Sequence, residues 1–186
     1  MSTDATSAPD TVRGRFAVVP AAYVVCVRPG APGGSGSPEV LLQLRSGTDY
    51  MDDHWASGAA GHVEKGETAL EAARREAAEE LGIDPDLTFL TTMQRRAPGP
   101  DPSPAIDERV DFFFAATSWA GEPRVMEGAK CADLRWCALD ALPDPVVPHE
   151  LVVLRALAAR LAGGDVGDLA TLGGGLAPYT TFGYDA

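Results

Sequence analysis

Cysteine is scarce in this chain, basic residues are outnumbered, and no long apolar run exists; each shortage removes a class of protein from consideration. The three cysteines, Cys26, Cys131 and Cys137, show no CxxC spacing, which argues against a zinc site. Cys26 and Cys137 sit in strand-like runs and read as buried thiols, and an odd, sparse count fits a reducing cytosol. Lys and Arg number 15 against 27 Asp and Glu, for a net charge of −12. A nucleic-acid surface needs clustered Lys and Arg, so no nucleic-acid partner is expected. Phosphorylated small molecules stay open, because a divalent metal inverts the local field of an acidic site. No stretch of apolar residues reaches the roughly 18 that a membrane span needs, and the polar N-terminus has no apolar signal-peptide core. A cytoplasmic location is therefore expected. What remains is 186 residues, 45% hydrophobic, which predicts one domain with a real core.

Residues 1–13 read as a disordered lead-in, residues 14–165 as the domain, and residues 166–186 as a Gly-rich tail that could pack on a second subunit. Oligomeric state is not legible, and a homodimer stays open. Ala21 to Val27 is a β-branched and aromatic run, hence a strand, and Val40 to Leu44, Leu87 to Arg95, Arg109 to Ala116 and Leu134 to Ala138 read likewise. Pro29 to Pro38 is a Gly/Pro/Ser loop, and four prolines between Pro98 and Pro104 force another. Thr68 to Leu81 is the clearest helix. Thr68 and Glu71 have capping-box spacing, Leu70, Ala73, Ala77 and Leu81 form an apolar stripe, and Gly82 stands where a helix-ending glycine belongs. Glu150 to Leu161 is a second helix, with Leu151, Leu154, Leu157 and Leu161 at spacings of three and four. Strands and helices in this order predict a layered α/β domain.

Three carboxylates, Glu76, Glu79 and Glu80, fall on one face of the first helix. Like charges at such spacings repel, at about 0.2–0.5 kcal/mol per pair in a bare helix. A chain that gathers them either solvates an acidic face or binds a hard cation, and oxygen donors without cysteine point to Mg²⁺ or Mn²⁺. The carboxylates belong to a longer pattern: Gly61, then Glu67, then Arg75-Glu76-Ala77-Ala78-Glu79-Glu80-Leu81-Gly82-Ile83.

This segment resembles the Nudix box, the signature of the Nudix hydrolases, with every spacing kept and only Ala77 smaller than the usual aliphatic residue. The resemblance implies a Nudix-type α/β/α sandwich with a central mixed sheet. It implies metal ligation by Glu76, Glu79 and Glu80, with the backbone carbonyl of Ala60 as a further ligand. One of these glutamates can also contact the attacking water. The family uses no single base, so Glu76, Glu79 and Glu127, the last outside the box, are the catalytic candidates. Gly61 is expected to permit a tight loop approach. Glu67 and Arg75 are expected to brace the loop against the helix, and Gly82 to end it. His62 reads as a residue without a catalytic role, and Trp55, Trp119 and Trp136 as core or strand residues. Tyr50 and Phe113 are candidates for stacking on a base. Pro98 stands where ADP-ribose pyrophosphatases carry a proline, but among many prolines. The implied function is divalent-metal-dependent pyrophosphohydrolysis of a nucleoside diphosphate linked to another group, as in a nucleoside triphosphate or ADP-ribose. The competing class is a Nudix-fold nucleotide-binding or regulatory module without turnover. Isoprenoid diphosphate isomerase activity, which by resemblance requires a catalytic cysteine, is the third.

Overall fold

The chain is described by a computed structural model that covers residues 11–12, 15–31, 36–48, 50–96, 108–162, 165–171 and 176–184. Its central strand is β3 (Val19–Arg28), following a two-residue pair, β1 (Thr11–Val12) with β2 (Arg15–Phe16). Side chains of β3 alternate between two cores. Ala21, Tyr23, Val25 and Val27 join one, and Ala22, Val24 and Cys26 join the other. A strand covered on both faces reads as a continuous apolar run, which is why its sequence announces it.

Around β3 stand β4 (Glu39–Arg45), β5 (Trp55–Ser57), β6 (Ala59–His62), β7 (Asp84–Arg95), β8 (Arg109–Ala120), β9 (Cys131–Ala138) and β10 (Tyr179–Phe182). The main path runs β10-β7-β8-β3-β4-β5, with β6 on β3 and β9 on β4. The sheet is mixed: β8 is parallel to β3 and β10 to β7, while the other pairs are antiparallel. Strand β3 forks, since Ala21–Val24 pair with β6 and Val27–Arg28 pair with β4. Helix α1 (Ala69–Glu76) covers one face and α2 (Pro148–Leu161) the other, as an α/β/α sandwich requires. No helix among the described residues is long and apolar enough to cross a membrane.

Capping at α1 follows the sequence closely. The Glu71 N–H donates to Thr68 Oγ1 at 3.2 Å, and the Thr68 N–H donates to Glu71 Oε2 at 2.7 Å. Gly82 ends the helix with φ of 69°, the left-handed conformation that glycine adopts at least cost. The helix is not uniform, however: from Ala77 to Leu81 it widens into a π-turn, a form frequent at functional sites. Some elements are longer than periodicity predicts. Strands β7 and β8 pair as far as Asp84 with Ala120, where Pro85 and the polar Asp86 and Ser118 mask the pattern. Strands β5 and β6 escape prediction because they are short and rich in alanine.

The segment read as a tail joins the domain. Leu169 of α3 (Asp168–Thr171) is fully buried in the α2-side core, and β10 extends the sheet beside β7. Residues 1–10 of the lead-in and the run 97–107, including Pro98, lie outside the described residues.

Candidate active site

Strand β6 is the hinge of the site, because its residues meet the helical glutamates on one side and a cavity on the other. The Ala60 N–H donates to Glu80 Oε2 at 3.0 Å, and the buried Gln43 amide donates to the same oxygen at 3.4 Å. Gly61 lies so close to the Glu76 carboxylate that a Cβ there would collide with it. The expected tight approach is thus to a specific side chain. The π-turn aims Glu80 inward, while Glu79 stays half exposed.

Arg75 ties this cluster together. Its Nη2 and Nε donate to Glu67 at 2.8 and 3.2 Å, and Nη2 also donates to the His62 carbonyl at 3.0 Å. The brace between loop and helix is therefore present. Nη1 goes further, reaching Glu76 at 2.6 Å and Glu79 at 3.1 Å. Glu67 in turn accepts from the Glu64 N–H at 2.7 Å, and Arg75 holds its carboxyl below the usual range.

Glu127 comes to the same place from another part of the chain. The backbone N–H groups of Arg124 and Met126 donate to the Leu81 and Glu80 carbonyls, docking this loop on the end of the π-turn. Glu127 then pairs with Lys130 at 2.7 Å. Burial pushes Glu80 up to about 7, with Glu76 and Glu127 adding repulsion. Burial also raises Glu76, again helped by neighbouring carboxylates. The donors are all oxygen and their charge is undercompensated, which is the chemistry a hard divalent cation fits. Among the described residues no three or more His, Cys, Asp or Glu side chains are already gathered around one metal position.

Beyond Ala60 and Gly61 opens a cavity of about 420 Å³. Tyr23, Tyr50, Arg45, Arg95, Arg109 and His149 line it, with His62 and Glu150. Buried beside it is Asp111, fully enclosed, which accepts from Arg95 Nε at 2.5 Å and from Arg109 Nε at 3.4 Å. Burial pushes the Asp111 carboxyl up and the two arginines pull it back. His149 Nε2 lies 3.3 Å from the Tyr23 hydroxyl, and burial, then Arg95 and Arg109, keep this imidazole neutral. Glu150 accepts from the Ser57 N–H at 2.5 Å, and burial raises its carboxyl. Arg109 Nη1 sits 3.0 Å from His62 Nε2, so His62 borders the cavity.

Of the two aromatic candidates, Tyr50 lines this cavity and is 38% exposed. Phe113 is not available, because it is fully buried and stacked on Tyr23 at 4.5 Å between centroids. The tryptophans are strand residues: Trp119 stacks on Trp136, and Trp55 is buried. Sequence reasoning missed Tyr23, Arg95, Arg109, Asp111 and His149, which come from three strands and a helix far apart in the chain. The one available signal was Asp111 within an otherwise apolar strand run.

Comparison with known proteins bears on the family and the fold. A human protein named 8-oxo-dGDP phosphatase NUDT18 is 31% identical over 103 residues, which is 54% of this chain but only 29% of that protein. A MutT NUDIX hydrolase from Burkholderia pseudomallei is 28% identical, with a TM-score of 0.53, covering 72% of this chain and 96% of that one. An Ap4A hydrolase from C. elegans, solved as a binary complex, is 27% identical with a TM-score of 0.53, covering 78% and 99%. The model of the NUDIX domain matches residues 19–157, from β3 to α2. Because that stretch takes in the forked strand, the glutamate cluster and most of the cavity wall, the chain belongs to the NUDIX family.

Proposed function

We propose that this protein is a divalent-metal-dependent pyrophosphohydrolase that cleaves a nucleoside diphosphate linked to another moiety. The observation that carries this reading is the double role of β6: Ala60 and Gly61 touch Glu80 and Glu76 and also border the cavity. A ligand in the cavity would thus present its neighbouring atoms to the carboxylates. Two tyrosines and three arginines on the walls suit a nucleotide, offering aromatic faces and charge-assisted donors for phosphate.

Glu76, Glu79 and Glu80, with the Ala60 carbonyl, would hold Mg²⁺ or Mn²⁺. Such an ion supplies charge neutralisation at phosphate and a lowered pKa for water. The chain's own part is threefold. Gly61 leaves room for the Glu76 carboxylate, and Arg75 and Glu67 hold loop and helix in register. A carboxylate of the cluster takes the proton of the attacking water, and Glu127, standing in the field of Glu76 and Glu80, is the candidate from outside the box. Three buried free thiols fit a reducing compartment.

The test is release of phosphate or pyrophosphate from a panel of nucleoside triphosphates, ADP-ribose, dinucleoside polyphosphates and nucleotide sugars with Mg²⁺. Turnover of one substrate class that collapses in Glu79→Gln is the expected result. Nucleotide binding without turnover across the panel would instead establish a binding module.

A further inference from the structure

The C-terminal segment lies beyond residues 19–157, yet it reaches the cavity wall. Strand β10 runs parallel to β7 with Phe182 opposite Arg95, and the Arg96 N–H donates to the Phe182 carbonyl at 3.2 Å. The Phe182 ring meets the His149 ring edge-on, 6.1 Å between centroids. His149 is in turn the partner of the Tyr23 hydroxyl. So one residue of β10 backs two cavity residues, Arg95 through the backbone ladder and His149 through its ring.

The strand is fastened at both ends. At its start, Thr91 Oγ1 donates to the Ala177 carbonyl at 2.7 Å. At its end, Arg96 Nε donates to the Gly183 carbonyl at 2.8 Å and the guanidinium lies over the Tyr184 ring, 5.1 Å from its centroid. Tyr184 Oη also meets Gln94 at 3.0 Å and Glu108 at 3.3 Å. Gly183 has φ of 80°, and a Cβ there would strike the Arg96 carbonyl.

We propose that β10 is a positioning element for substrate binding, with Phe182 the positioning residue that fixes His149 in the cavity wall. The inference rests on the reading of that cavity as the nucleotide pocket. Loosening β10 lets the His149 ring turn away from its productive direction, so ground-state binding weakens while the carboxylate cluster on the far side of β6 is untouched. Loss of affinity without loss of turnover is the signature of such a role.

The experiment uses the full chain with Phe182→Ala, Phe182→Leu, Thr91→Val and, as a direct pocket variant, Tyr23→Phe. Binding of dGTP and of ADP-ribose is measured by calorimetry in EDTA, and KM and kcat are measured with Mg²⁺ on whichever nucleotide is turned over. Thermal melting reports folding. The expected result for Phe182→Ala is a Kd and KM raised about five- to tenfold with kcat held within about twofold, and partial recovery in Phe182→Leu. Should Phe182→Ala not fold, Thr91→Val, which loosens only the start of β10, must show the same split to a smaller degree. Unchanged affinity in folded β10 variants, while Tyr23→Phe weakens binding, would overturn this inference and leave the pocket standing. Unchanged affinity in Tyr23→Phe as well, or no nucleotide binding by the wild type, would overturn the pocket reading and this inference with it.

Discussion

The two sides of β6 differ in how they are built. On the α1 side, Glu67, Arg75, Glu76, Glu79 and Glu80 lie close in sequence, and their charge is partly open to water. On the cavity side, Tyr23, Arg95, Arg109, Asp111 and His149 converge from β3, β7, β8 and α2, and Asp111 is wholly enclosed. The first side is a local motif in which one helix and its preceding loop bring the groups together. The second exists only when the whole sheet is assembled. On the proposed function, reaction chemistry is carried in a short segment, while recognition depends on the register of distant strands.

The sharpest way to break the comparison is at Asp111. Removing it leaves Arg95, 4% exposed, as a buried charge without its closest partner. Breaking a buried pair from one side costs about 3–5 kcal/mol. Asp111→Ala should lose stability of that order in denaturant unfolding, with folding rather than chemistry as the first casualty. A loss below about 1 kcal/mol would mean that the cavity floor is solvated and not a structural keystone.

On the α1 side the matching test is Gly61→Ala, which should hurt chemistry more than folding. The added methyl takes the place of the Glu76 carboxylate. That group must swing away, and a misplacement of about 1 Å near reacting groups can cost about a hundredfold in rate. The expected result is a kcat lower by about two orders of magnitude with nucleotide Kd in EDTA unchanged. Loss of nucleotide affinity instead would show that the two sides of β6 are not separable.

The contrast also has a pH form. Glu80 is raised from its ordinary 4.5 to about 7, chiefly by burial. A carboxyl whose folded value is raised binds its proton more tightly in the folded state. Its stabilisation is fully present below about pH 4.5 and is lost as pH rises through about 7. Metal-free protein should therefore lose melting temperature over that interval, and Glu80→Gln should flatten the slope. Added Mg²⁺ should raise the melting temperature more at the top of the interval than at the bottom, because only there is Glu80 ionised. An equal Mg²⁺ effect at both ends would remove Glu80 from the cation site.

How much was legible follows the same division. Strand β3, helices α1 and α2, the Thr68 cap and the Gly82 stop were readable because each depends on neighbours within a few residues. The Arg75–Glu67 brace was readable because loop and helix keep a fixed spacing. The π-turn was not, since nothing in the Ala77 to Leu81 composition distinguishes it from an α-turn. Phe113 misled, because alternation along β8 does not reveal that Tyr23 will cover it. Strand β10 was invisible because four residues carry too little pattern, and only its place beside Arg95 gives it meaning.

The smallest effect expected is at Thr68, and it separates stability from function most cleanly. Thr68 and Glu71 share three hydrogen bonds at the start of α1, far from Glu80 at the helix's other end. Losing such a cap costs about 1 kcal/mol. Fraying there would free the first turn, while Glu76 and Glu80 stay fixed by Arg75, Gly61 and the Ala60 N–H. Thr68→Ala should thus lower the unfolding free energy by about 1 kcal/mol with kcat and KM both unchanged. A fall in kcat larger than about threefold would mean that the helix transmits fraying along its length, and that the carboxylate cluster is held by α1 rather than by its contacts with β6.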